Sequence, residues 1–248
     1  MQNISRRSLL KGAGLAAGAS AVGVFNAFYG FSRVLGQDMA ANDDTQTIIN
    51  VAATAELFAT THYLAAINNA EALGFDEVTL NYMKAGFLAE QDHLELLQSL
   101  GAVPVVTEFY VPETLFSDIE VFSATTEVAE TAFVAAYLAA VRIWGASEET
   151  AAFAVTAAQI ATVEAEHRAL VRQIGGRLAN NQSYGQYLFF NTSDAVPPLQ
   201  AFLDGSGEGF VGPVAPPTAD DIAGVRADME MLEYTTVAPF PAVDLASL

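Results

Sequence analysis

Two short motifs, Glu90-x-x-His93 and Glu164-x-x-His167, each set a carboxylate and an imidazole three residues apart. On an α-helix that spacing puts both side chains on one face, so each motif offers two metal-ligating groups together. The chain has three histidines, and two of them fall in this pair of motifs. A shift of 74 residues relates the motifs. The same shift carries Glu56 onto Glu130, Tyr63-Leu64-Ala65-Ala66 onto Tyr137-Leu138-Ala139-Ala140, and Gly101 onto Gly175. One register aligns every candidate ligand, which marks an internal duplication. There is no cysteine, which excludes disulfides, thiolate metal sites and thiol catalysis.

Helices must hold these residues. Apolar positions recur with a period near 3.6 over about 45–72, 77–100, 118–144 and 147–174. Gly74, Gly101, Gly145 and Gly175 stand at or just past the ends, where left-handed caps favour glycine. Ser117 and Ser147 are the expected N-caps of the third and fourth helices. The pattern predicts an all-α fold made of two copies of a helix pair.

Glu56 lies on a face with Ala52, Ala59, Tyr63 and Ala66, and Glu130 on one with Thr126, Phe133, Tyr137 and Val141. Four carboxylates converging there would repel one another and be poorly solvated, and two divalent cations would cancel their charge. The bland alternative is a structural polar network without metal. Glu127, one turn before Glu130, is a rival or additional carboxylate, but its repeat counterpart is Ala53, which favours Glu130. His62 has Ala136 as its counterpart and reads as a buried or interface histidine, with a role just outside the ligands as the alternative. Tyr63 and Tyr137 are expected to pack with a hydroxyl hydrogen bond, or else to support the ligands directly.

Charge divides sharply. Arg6, Arg7, Lys11 and Arg33 precede every acid, leaving six bases against 29 acids and a formal charge of −23 in the remainder. Such a surface repels nucleic acid and attracts cations, so a nucleic-acid partner is excluded. Ser5-Arg6-Arg7-Ser8-Leu9-Leu10-Lys11 and the weakly apolar Gly12 to Phe31 resemble a twin-arginine export signal. The expected organisation is a signal segment (1–36), a linker (37–44), the bundle (45–176) and a C-terminal extension (177–248). The location is periplasmic or cell-surface, with membrane anchoring if the signal is retained. The extension holds Pro197-Pro198, Pro216-Pro217 and a glycine-rich run from Gly205 to Gly212. A short helix is expected at about 219–232, and Tyr184, Tyr187, Phe189 and Phe190 suggest packing on the bundle or on another subunit of a homo-oligomer.

One Glu from each of two helices, with Glu-x-x-His from each of the other two, resembles the ferritin-like superfamily. Ile49-Asn50, Glu56 through Tyr63, Leu100-Gly101-Ala102-Val103-Pro104, Glu127-Val128-Ala129-Glu130 and Tyr137 are similar to the layout of its exported desiccation-related group. The resemblance covers roughly 45–176. It implies an antiparallel four-helix bundle with two iron or manganese ions, iron favoured, bound by Glu56, Glu90, His93, Glu130, Glu164 and His167. It further implies redox chemistry with peroxide or oxygen (ferroxidase, peroxidase or catalase-like) in stress protection. The alternative is a structural or stress-protective surface protein whose metal site is not catalytic. Without cysteine there is no rubredoxin centre, so a reductant must come from outside. Where some relatives place an Asp four residues before the ligand His, this chain has Ala89 and Val163. Asp92 and Glu166 are substitutes by repeat, though their spacing points them toward solvent.

Overall fold

The computed structural model describes residues 41–232 and 234–239. The signal-like segment and residues 37–40 of the linker lie outside the described residues, as does the C-terminal end of the extension. Four long helices form an all-α bundle: α1 (Thr45–Asn68), α3 (Glu77–Ser99), α4 (Ile119–Trp144) and α5 (Ala151–Ile174), with a one-turn α2 (Ala70–Leu73) after α1. None of the described helices is long and apolar enough to cross a membrane.

Local chemistry sets the ends. Asp44, Asp76 and Asp118 cap α1, α3 and α4 by accepting from Thr47 N, Thr79 N, and Glu120 N with Val121 N. Asp118 thus takes the role expected of Ser117, whose hydroxyl turns back to the Thr114 carbonyl. Helix α5 starts four residues later than the periodicity predicts. Thr150 sits at its N-cap, but its hydroxyl donates to the Trp144 carbonyl, leaving 147–150 as a turn. The first helix ends earlier than expected, because Asn69 leaves helical geometry and α2 is a separate turn closed by left-handed Gly74.

Gly145 and Gly175 are not left-handed, contrary to expectation, with φ of −71° and −77°. After α5 the positive φ falls on Gly176. Gly175 answers a different need, since a Cβ there would lie 2.3 Å from Ser123 Oγ on α4.

Helix α1 packs on α3 and α4 on α5, and the two pairs join through α1–α4 and α3–α5. Apolar residues fill both ends. Ile48, Leu94, Leu97, Trp144 and Ile160 pack at one end, and Met83, Phe87 and Phe122 at the other. The candidate ligands occupy the layer between.

The extension lies on its own bundle. Arg142 stacks over the Phe190 ring at 3.7 Å and donates to its carbonyl, and Phe189 is buried. Pro197 and Pro198 form the first turn of α6 (Val196–Asp204), where proline's missing N–H costs nothing. Strand β2 (Phe210–Val214) pairs antiparallel with β1 (Phe109–Pro112) of the α3–α4 crossover, tying the extension to that loop. Helix α7 (Ala219–Met229) starts with a Thr218–Asp221 capping box, and one 3-10 turn (Glu230–Leu232) follows it.

Candidate metal centre

Each long helix sends its part of the Glu and His set into the middle layer. Glu56, Glu90, Glu130 and Glu164 are at most 1% exposed. Glu56, Glu90, His93 and Glu164 offer ligand atoms all within 4.8 Å of one another, and so do Glu90, Glu130, Glu164 and His167. Glu90 and Glu164 belong to both groups. Nδ1 of His93 is 3.4 Å from both Glu90 Oε2 and Glu164 Oε1, and 3.6 Å from Glu56 Oε2. Nδ1 of His167 is 2.8 Å from Glu90 Oε1, without hydrogen-bond alignment, and 3.3 Å from Glu164 Oε2.

The two tyrosines cross the repeat. Tyr63 donates to Glu130 Oε1 at 2.5 Å, and Tyr137 donates to Glu56 Oε1. Pairing 63 with 130 and 56 with 137 makes α1 and α4 antiparallel. The contacts of His167 with Glu90 and of His93 with Glu164 do the same for α3 and α5. Burial pushes both phenols well above their ordinary pKa, and the neighbouring carboxylates push them further, so both remain donors.

Protons carry the counter-charge. Burial raises Glu56 and Glu130 well above the usual carboxylate range, and the nearby Glu90 and Glu164 add to the effect. Burial also presses Glu90 upward, but His167 and then His93 outweigh it and hold Glu90 well below that range. For His93 and His167 burial works downward. Facing carboxylates overcome it, Glu56 leading for His93 and Glu90 for His167, and raise both well above the ordinary histidine value.

Even so, Glu56 Oε2, both oxygens of Glu90, Glu130 Oε2, Glu164 Oε1 and His93 Nδ1 are buried without a hydrogen-bond partner among the described residues. Six orphaned oxygen and nitrogen atoms turned into one layer fit a pair of divalent cations, whose charge would replace the protons. The donor set, carboxylate oxygen with imidazole nitrogen, suits iron, manganese or zinc.

Not every candidate joins this layer. Glu127 is held instead by Arg168, Arg172 and Arg177. His62 is buried beside Phe122, with the rings stacked 5.2 Å apart. Thr126 gives its hydroxyl hydrogen to the Phe122 carbonyl, so it accepts from His62 Nε2 at 2.8 Å. Asp92 does not support a histidine; it accepts from Arg226, Tyr234 and Thr236 of the extension. Glu166 is exposed. Gly86 was not anticipated. A Cβ there would be in ordinary van der Waals contact with the Tyr63 ring at 3.4 Å and His167 Nε2 at 3.7 Å, so this stretch of α3 packs directly against both. Its repeat counterpart is Ile160, and the duplication therefore gave no sign of it.

The family model for the ferritin-like domain matches residues 44–177, a span holding all six candidate ligands. No curated protein and no solved structure gives a significant match.

Proposed function

Because the chain belongs to the ferritin-like domain family, we propose that it binds two transition-metal ions, iron in preference to manganese, for redox chemistry with oxygen or peroxide. The observation that carries this reading is the sharing of Glu90 and Glu164 between two four-residue groups. Glu90 and Glu164 would serve both ions. Glu56 and His93 would complete one ion's ligands, and Glu130 and His167 the other's.

When bound, such a pair supplies two adjacent centres that exchange electrons with an oxygen species together. The chain's own contribution is positional. Tyr63 and Tyr137 fix one oxygen of Glu130 and of Glu56, leaving the second oxygen of each free to bind. Apolar residues above and below the layer exclude bulk water, which strengthens every charge interaction within it. Reducing equivalents come from a separate donor.

Export by the twin-arginine route and a role in stress protection complete the proposal. They rest on Ser5 to Lys11 and on the resemblance to the desiccation-related group. A second reading, a metal that stabilises and does not turn over, is favoured by one observation: the six residues come from all four long helices, so an ion would tie the bundle together.

The test is the metal content of protein purified from the exported fraction without added metal. Two iron or manganese ions per chain are expected, and loss of both in a Glu90→Ala/Glu164→Ala double variant. Full loading in that variant would sink the assignment. A loaded protein without peroxide or oxygen turnover would select the structural reading.

A further inference from the structure

The chain's scarce cations are unevenly placed. Of the six bases after Arg33, three converge on the single carboxylate of Glu127. Elsewhere Lys84 pairs with Asp228, and Arg226 faces both Asp92 and Glu95. Glu127 and its three arginines thus sum to two positive charges in a chain that is otherwise strongly acidic, with the exposed Glu166 two residues before Arg168.

Packing accounts for part of this arrangement. Arg172 donates to the Leu178 carbonyl and Arg177 to that of Ser123. Neutral side chains could make those bonds without bringing three guanidinium groups together. Burial lowers Arg168 from its ordinary value, and Arg172 and Arg177 press in the same direction against the pull of Glu127. The Debye length at physiological ionic strength is about 8 Å, so acids on the far side of the bundle do little to cancel this local field.

Beside Arg168 is a cavity of about 240 Å³, walled by Thr131 of α4, Ala165 and Ala169 of α5, and the loop 179–186. Arg168 is only 8% exposed. Its Nε, Nη1 and Nη2 each donate once, to Thr131 Oγ1, Asn181 Oδ1 and Glu127 Oε1. A guanidinium has five N–H groups, so two remain. The lining also includes Asn180, Gln182, Ser183 and exposed Tyr184 of the loop. Arginine's fork matches phosphate and carboxylate geometry.

We propose that this pocket, formed by Arg168 and the loop 179–186, binds a small phosphate-bearing molecule, separate from the carboxylate centre. Of the cluster only Arg168 lines the cavity, and a guanidinium with two N–H groups to spare matches two oxygens of one phosphate. The cavity exceeds a bare phosphate, leaving room for a short polar body against the loop.

The test is calorimetric titration of the full, metal-loaded chain with inorganic phosphate and, separately, with glycerol 3-phosphate, against chloride at equal ionic strength. Saturable binding at one site is expected, weakened at least tenfold by Ser183→Glu, which adds a negative charge on the exposed wall and leaves the arginine cluster intact. Val103→Glu adds the same charge at the opposite end of the bundle and should leave binding unchanged. Tighter binding of the glycerol ester would assign the ligand to organic phosphates, and equal or weaker binding to the free ion. Absence of saturable binding would overturn the proposal. So would binding that Ser183→Glu does not weaken, as for phosphate held by the metal ions.

Discussion

Tyr63 on α1 donates its 2.5 Å hydrogen bond not to the glutamate of its own helix but to Glu130 on α4. The counterpart bond runs the other way, from Tyr137 to Glu56. Each copy of the duplicated pair therefore orients the other copy's carboxylate. Tyr63→Phe would leave Glu130 Oε1 buried without a donor, at a cost of about 1–3 kcal/mol. We expect that loss in chemical denaturation of metal-free protein and a smaller one after loading, when the metal fixes the carboxylate. Equal destabilisation in both states would show that the bond does not serve the centre.

Removing Glu130 should spare one of the two groups. Glu56, Glu90, His93 and Glu164 stay together in Glu130→Ala, so elemental analysis should find one ion per chain in place of two. Glu56→Ala should give the mirror result. Two tightly held ions in either variant would mean that the terminal carboxylates are misassigned.

His62 predicts a pH dependence. Burial lowers it to about 4, with a small opposing pull from Glu90, whereas in the unfolded chain it titrates near about 6.5. Between those values the unfolded state binds the extra proton, so stability falls as pH drops through that window, by about 3 kcal/mol at pH 4. His62→Gln keeps a donor for Thr126 and removes the titration. The wild-type stability curve should therefore drop more steeply with acid than the variant's. Parallel curves would refute the assignment.

Asp92 anchors the end of the extension through Arg226, Tyr234 and Thr236. Asp92→Ala should speed tryptic cleavage after Arg226 several-fold, read by mass spectrometry. Bundle stability should change by no more than about 1 kcal/mol, since such partly exposed ion pairs contribute little. Unchanged cleavage would mean that α7 is held by its apolar face alone, through Val225 and Met229.

The helices and the six candidate ligands were legible because the duplication writes them twice. Long amphipathic runs tolerate small errors at their ends, and a fixed register picks out Glu130 over Glu127. What stayed hidden depends on contacts between unlike parts of the chain. Three arginines that claim Glu127 have no repeat partner to announce them. Strand β2 pairs with a segment about a hundred residues earlier, and neither strand is long enough to show alternation. The cap at Asp118 turns on which of two adjacent polar residues faces the helix, a choice that composition does not express, and the late start of α5 turns on the Thr150 hydroxyl bonding back to Trp144.

Two equal halves have ended in unequal surroundings. His167 lies against the Tyr63 ring and the bare backbone of Gly86. His93, 12% exposed, follows directly on Asp92, where the extension is fastened. A layer that is twofold in its ligands is thus lopsided in its cover: an aromatic ring and a bare stretch of helix back one histidine, while the other adjoins the point where the extension is moored.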